Sequence, residues 1–418
     1  MNLSNETEKY LEYFIGEYDS FKKKETKEQK NQVEAIYKQI YKEFTTSEKE
    51  LKHIKKSLTQ QLVFLNYEQE NIPKTNLLTS KFVPKEMKNY IDNEALFYIK
   101  NSIKIRKRDV KIYFVFYDEG DLNNLDKYNA KLHYMLLWLN IATKVSSIRC
   151  SKTLNIYIYL TPFKKEIPIS HFEVIGPRHS NSGLTTTCSV YNEICIYRKE
   201  EFLKIFIHET FHSLGLDFSA INESQYLPKV KKIFPLNIKF NLYEAYSEFW
   251  ASIFNNALLA YSTLEKNKIK KDKFKHFKNF LHLSNNLERI FSLYQINKLL
   301  YFFNVDYQNF YEDDKLSNYV RQYIYKEKTN VFSYYIVKGI LMYNYIDFLI
   351  WCNQTNLIFF KFDKHQGNIR SFINFIKSTY KNKEFLEDLK KMNLLNLQTK
   401  HPSVEYIDKT LRMTVMEF

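Results

Sequence analysis

Glycine and proline are nearly missing from this chain. Seven Gly and eight Pro among 418 residues amount to about 3.6%, against the roughly 12% usual in globular proteins. Collagen-like, Gly/Ser-linker and proline-rich disordered chains are thereby excluded. Cysteine is scarce as well: Cys150, Cys188, Cys195 and Cys352 are too few for a disulfide scaffold at this length, and none forms a CxxC pair. Reducing surroundings are the default expectation. No secretory leader is expected, because Met1 to Phe14 carries acidic and polar residues where a basic stretch and an apolar run are required. An intracellular, cytoplasmic location is the expectation. The one long apolar stretch, Phe332 to Phe360, is interrupted by Lys338, Asn344 and Asp347, which predicts a buried helix and no membrane span.

What the chain has is apolar and basic. Hydrophobic residues make up 44% and aromatics 17%, with 33 Tyr and 34 Phe, so the chain must fold. Sixty-two Lys+Arg against 47 Asp+Glu give a net charge of +15, which invites a polyanion partner. Only nine of those cations are Arg, the residue suited to bidentate phosphate recognition. A solvated lysine coat explains the charge better, and nucleic acid is not the favoured partner. The length predicts two or three domains, or one large domain with additions.

Three stretches differ in pattern. Residues 1–75 are charged, with Val33, Ile36, Ile40 and Phe44, then Leu51, Ile54, Leu58 and Leu62, at helical spacing, and predict a helical N-terminal arm that packs or docks without chemistry. Residues 76–215 mix elements: strands at Val110–Tyr117, Thr153–Leu160, Gly183–Ser189 and Glu193–Tyr197, and helices at Leu122–Val145 and Lys199–Leu214. Five of the fifteen Gly and Pro fall between Pro162 and Gly183, marking a loop-rich crossover. Residues 216–418 are mainly helical in pattern. The fold class expected is α+β, a small mixed sheet followed by a helical C-terminal half.

Within the helix at 199–214 stands His208-Glu209-Thr210-Phe211-His212. Two His four apart share one helical face, where neutral imidazoles can hold a tetrahedral Zn²⁺. Glu209, a residue's rotation away, can reach a water at such an ion without ligating it, and serve as general base. Downstream, Asn241–Ala251 (NLYEAYSEFWA) sets Glu244 and Glu248 four apart among Leu242, Tyr243, Tyr246, Phe249 and Trp250. Carboxylates inside so aromatic a helix are costly unless something positive meets them. Glu244 is assigned as third ligand and Glu248 as the carboxylate that orients a ligating His, with an exchange of these roles, or a solvated face for both, left open.

HETFH followed by YEAYSE resembles the gluzincin group of zinc metallopeptidases, in which a later helix supplies a Glu ligand. More loosely, the block from Tyr197 to Ser219 with YEAYSEFWA resembles predicted metallopeptidases of large cytoplasmic DNA viruses. The resemblance covers residues 110–255 at most. It implies a zincin-like fold, a peptide or protein substrate paired to an edge strand near Asn181–Ser189, and an oxyanion stabiliser from the helical half, for which Tyr334 and Tyr335 are candidates. Two departures stand out. Thirty-one residues, Ser213 to Tyr243, separate His212 from Glu244. In the rival metzincin spacing Phe218 occupies the ligand position, with Asp217 one residue early as a candidate. His171 and His179 are expected to be loop histidines. The function expected is zinc-dependent peptide hydrolysis; the alternative is a non-catalytic zincin-like structural or nucleic-acid-associated protein.

Overall fold

The computed structural model describes residues 3–65, 72–398 and 407–418. Met1 and Asn2 of the segment read for a leader, and 66–71 of the expected arm, lie outside the described residues. The chain is α+β. Its strands are β1 (Thr59–Phe64), β2 (Phe97–Ile105), β3 (Arg108–Phe116), β4 (Thr153–Tyr159), β5 (Gly183–Thr185) and β6 (Tyr191–Ile196), in one sheet ordered β1-β2-β3-β4-β6-β5. β3, β4 and β6 run parallel, and the other neighbours pair antiparallel. The parallel step from β3 to β4 requires a crossover, supplied by helix α4 (Leu125–Val145).

Two strands escape the sequence pattern. β2 and β3 form a hairpin whose two-residue turn is Arg106-Lys107, both at positive φ (45° and 67°). Such turns favour Asn or Gly, so neither residue signals one. β1 lies inside the stretch expected to be helical: the helix ends at Ile54, and Leu58 and Leu62 belong to the strand and its approach. The arm is no appendage either. Helices α1 (Asn5–Gly16) and α2 (Lys27–Ile54) bury Tyr10, Phe14, Ile36, Ile40 and Phe44 in the main core.

Strand alternation assigns one sheet face to each of two clusters. Ile112, Phe114, Leu154, Ile156, Ile158, Ile194 and Ile196 face α4 and helix α6 (Phe202–Ser213). Val115, Tyr157, Tyr159 and Tyr197 face Leu78, Val83 and helix α3 (Lys85–Asn93). The crossover between β4 and β6 holds a short helix, α5 (Pro177–Ser180), and then β5 at the sheet edge.

The helical half begins with α7 (Leu227–Lys231), α8 (Leu242–Lys266), α9 (Lys273–Phe303) and α10 (Lys315–Tyr319). It ends with α11 (Lys338–Tyr343), α12 (Tyr345–Thr355), α13 (Gln366–Thr379) and α14 (Lys383–Gln398). The apolar stretch from Phe332 is a π-helical turn followed by α11 and α12, broken at Asn344, and its Lys338 is buried with its ammonium donating to Glu288, Ser292 and the Met413 carbonyl. No helix among the described residues is long and apolar enough to cross a membrane. One disulfide, Cys150–Cys188, joins positions whose spacing announces nothing; Cys195 and Cys352 are buried thiols.

α6 is buried on every side, as befits a helix sandwiched between layers. Trp138 of α4, fully buried, stacks on Phe211 with ring centroids 5.7 Å apart and donates its indole N–H to Thr210 Oγ1 at 2.7 Å. Trp138→Ala should cost about 3–5 kcal/mol in denaturant unfolding, by emptying the space against α6 and leaving the Thr210 hydroxyl without its donor.

Candidate metal centre

α6 and α8 pack side by side, and their facing turns carry the chemistry-bearing residues. His208 and His212, four apart, present their Nε2 atoms to one another at 3.0 Å. Glu244, in the first turn of α8, places Oε2 3.2 Å from His208 Nε2 and 3.4 Å from His212 Nε2. The three atoms form a nearly equilateral triangle, and Glu244 Oε2 is buried without a hydrogen-bond partner. A tetrahedral ion with bonds of about 2.0–2.1 Å spaces its ligand atoms about 3.3 Å apart. The donor set and its dimensions fit a divalent cation.

The far side of each ring is also occupied by a carboxylate. His208 Nδ1 lies 3.0 Å from Glu248 Oε1, and His212 Nδ1 meets Asp217 Oδ2. With a proton on each Nδ1, both Nε2 lone pairs point to the shared vertex. Glu248 therefore sits where the sequence places it. Asp217, weighed as a third ligand, instead orients the second His. Gly215 makes this contact available: at φ +64° it turns the chain at the end of α6, letting Leu216 N–H return to the Phe211 carbonyl at 2.8 Å. Asp217 is then held by Ser219 N–H (3.1 Å), Ser219 Oγ (2.7 Å) and Ser247 Oγ (3.2 Å). The long insertion after Asp217 folds back as an apolar plug, with Phe218, Tyr226, Val230, Phe234 and Phe240 all buried.

Glu209 points elsewhere. A Cβ on Gly183 of β5 would stand 2.9 Å from Glu209 Oε1, so the edge strand's backbone passes directly over this carboxylate. Burial pushes the Glu209 carboxyl up to about 7, with the two His rings opposing it. Burial alone would lower the His208 ring, but Glu248 and Glu244 hold it up at about 9. Burial would raise Glu244, but His212 and His208 hold it down at about 2.

The two oxyanion candidates part company. Tyr335 is buried and donates its hydroxyl to the Leu411 carbonyl at 2.6 Å, which removes it from the site. Adjacent positions on one helix face different ways, and Tyr334 sets its ring 6.3 Å from that of His208. Asn330, unnoticed in the sequence, lies 3.4 Å from Glu244 Oε1. Lys204 went unnoticed too, though a lysine four residues before His208 in an otherwise apolar helix was a legible signal; its ammonium meets Glu248 Oε2. His179 accepts the Gly176 N–H at 3.1 Å, and His171 Nδ1 lies 2.7 Å from the Phe302 carbonyl, so both serve loops. Glu48, His133 and Glu265 also cluster, but Lys55 Nζ stands 2.7 Å from His133 Nδ1, and the ring's Nε2 faces Glu48 at 3.0 Å. Lys55 thus already holds one ring nitrogen, and this cluster is partly exposed where the His208, His212 and Glu244 group is buried.

No family model matches this chain, and neither a curated protein nor a solved structure matches it.

Ligation requires His208 and His212 to surrender their Nε2 protons, and both rings are held above the usual imidazole range, His208 at about 9, so affinity for a divalent cation should fall as pH drops below about 9, as read by competition with a chromophoric chelator. Glu244→Ala should lose at least tenfold in the same assay.

Proposed function

We propose that this chain is a zinc-dependent peptidase of gluzincin type on a zincin-like core. The observation that carries this reading is the convergence of His208 Nε2, His212 Nε2 and Glu244 Oε2 on one point, with a carboxylate behind each ring. His208, His212 and Glu244 would hold the ion. Bound there, zinc supplies a Lewis acid that polarises a carbonyl and acidifies water.

The remaining steps belong to the protein. Glu209, buried and raised to about 7, suits a base that takes a proton from water at neutral pH and returns it to the leaving amine. β5 has a paired neighbour, β6, on one side and ends the sheet on the other. An extended peptide added along that outer side would run over Glu209, held through its backbone with little demand on side chains. Gly183 keeps this approach open, since a Cβ there would press on Ile205 Cγ2 at 2.7 Å and on Glu209 Oε1 at 2.9 Å. Tyr334, whose ring lies 6.3 Å from that of His208, would be the donor to an oxyanion, and Asn330, 3.4 Å from Glu244 Oε1, would steady that carboxylate.

Metal analysis of the purified chain should find one zinc per molecule. Glu209→Gln should keep the zinc and lose about 10²–10⁴-fold in peptide hydrolysis. Activity surviving that change would sink the mechanism. Tyr334→Phe should lower kcat about 10²-fold with KM little altered in steady-state kinetics. Gly183→Ala should cut kcat/KM while leaving the zinc content intact.

A further inference from the structure

Behind the metal cluster lies a buried chain of charges. Lys204 is 1% exposed, and its ammonium meets Glu248 Oε2, whose other oxygen faces His208 Nδ1. Lys204, His208 and His212 occupy the same face of α6 at intervals of four. One turn earlier, Glu201 is a second buried carboxylate close enough to Lys204 for the two charges to interact. Lys204 thus has two anions to choose from.

The segment 411–417 decides between them. It is almost wholly buried, and Glu201 Oε1 accepts N–H groups from Met413 (2.9 Å) and Thr414 (2.7 Å). Glu201 Oε2 takes the Lys165 ammonium at 2.7 Å. Arg412, fully buried, stands 4.0 Å from Glu201 and 3.4 Å from Glu417. With both oxygens of Glu201 occupied, Lys204 is left to Glu248. An uncompensated Glu248 carboxylate would be costly at this depth, and would share or draw the His208 Nδ1 proton without a fixed position.

We propose that Lys204 is a positioning residue for the metal centre: it pins Glu248 against His208 and so holds the His208 Nε2 lone pair on the ion, while segment 411–417 keeps Glu201 from claiming it. The inference rests on the cluster binding zinc, as proposed above. Zinc affinity by chelator competition, and the visible spectrum of the cobalt-substituted protein, read it without recourse to activity.

Lys204→Met should weaken zinc binding about 10–100-fold and shift the cobalt bands, with helicity retained by circular dichroism. Lys204→Gln, which can still donate to Glu248, should lose less. In a Glu248→Gln background the further cost of Lys204→Met should largely vanish, because there is no longer a charge to compensate. If the Met variant does not fold, Lys204→Gln and the Lys204→Met/Glu248→Gln pair give the same comparison. Unchanged affinity in a folded Lys204 variant, or an equal Lys204→Met penalty with and without the Glu248 carboxylate, would overturn the proposal. A wild-type chain that binds no zinc would instead overturn the metal centre itself.

Discussion

The structure is organised around carboxylates that have been taken out of water. Glu209, Glu244, Glu248 and Asp217 all lie buried, on α6, on α8 and in the turn that follows α6. Isolated anions at that depth would cost several kcal/mol each, so each must either face a compensating group or, as at Glu209, have its carboxyl pushed up by burial. His208 and His212 serve three of them at once: on the outer side His208 Nδ1 lies 3.0 Å from Glu248 Oε1 and His212 Nδ1 is hydrogen-bonded to Asp217, and on the inner side both Nε2 atoms face Glu244. The ring orientations are thereby set, and the inward triangle is left as a vertex for a cation. The turn at Gly215, the first turn of α8 and the burial of α6 are the conditions under which this arrangement can exist.

The same requirement ties distant parts of the chain to the cluster. α8 contributes Glu244, Ser247 and Glu248, so it must hold its register against α6; Tyr246 and Phe249, on its other faces, anchor it to Phe348 and Phe372. Segment 411–417 passes behind α6 and is bound chiefly by buried side chains. Besides Glu201, Glu288 Oε2 accepts the Val415 N–H at 3.0 Å, and Asn255 donates to the Met416 carbonyl at 2.8 Å. α1 closes over it through Thr7 Oγ1, which donates to the Val415 carbonyl at 3.0 Å and accepts the Glu417 N–H at 3.0 Å. The residues that looked like a separate arm are part of the lid on this segment.

Much of this was legible before any coordinates. α4, β3, β4, β6 and α6 fall within a few residues of where periodicity puts them, α8 starts at Leu242 as expected but runs on to Lys266, and HETFH with Glu244 and Glu248 names the residues that meet. The misses have local causes. The Arg106-Lys107 turn carries no glycine or asparagine, so the β2–β3 hairpin stayed hidden. The apolar spacing of Leu51, Ile54, Leu58 and Leu62 continues a helical rhythm past Ile54, where the chain in fact turns towards β1. The edge strand shrinks to Gly183–Thr185, with Cys188 beyond it at positive φ and bonded to Cys150.

By itself the sequence determined which residues share a helical face, because spacings of four along α6 and α8 are fixed by helix geometry wherever the helices sit. It likewise determined that buried carboxylates in an aromatic helix needed a positive partner. Only the tertiary structure decided which anion stands behind which ring, since Asp217 and Glu248 compete for that place on equal chemical terms and differ only in where the Gly215 turn and the α6–α8 packing deliver them. It also decided that Lys204 serves Glu248, because the Met413 and Thr414 amides that occupy Glu201 come from a segment more than 200 residues away, and no local pattern encodes such a meeting.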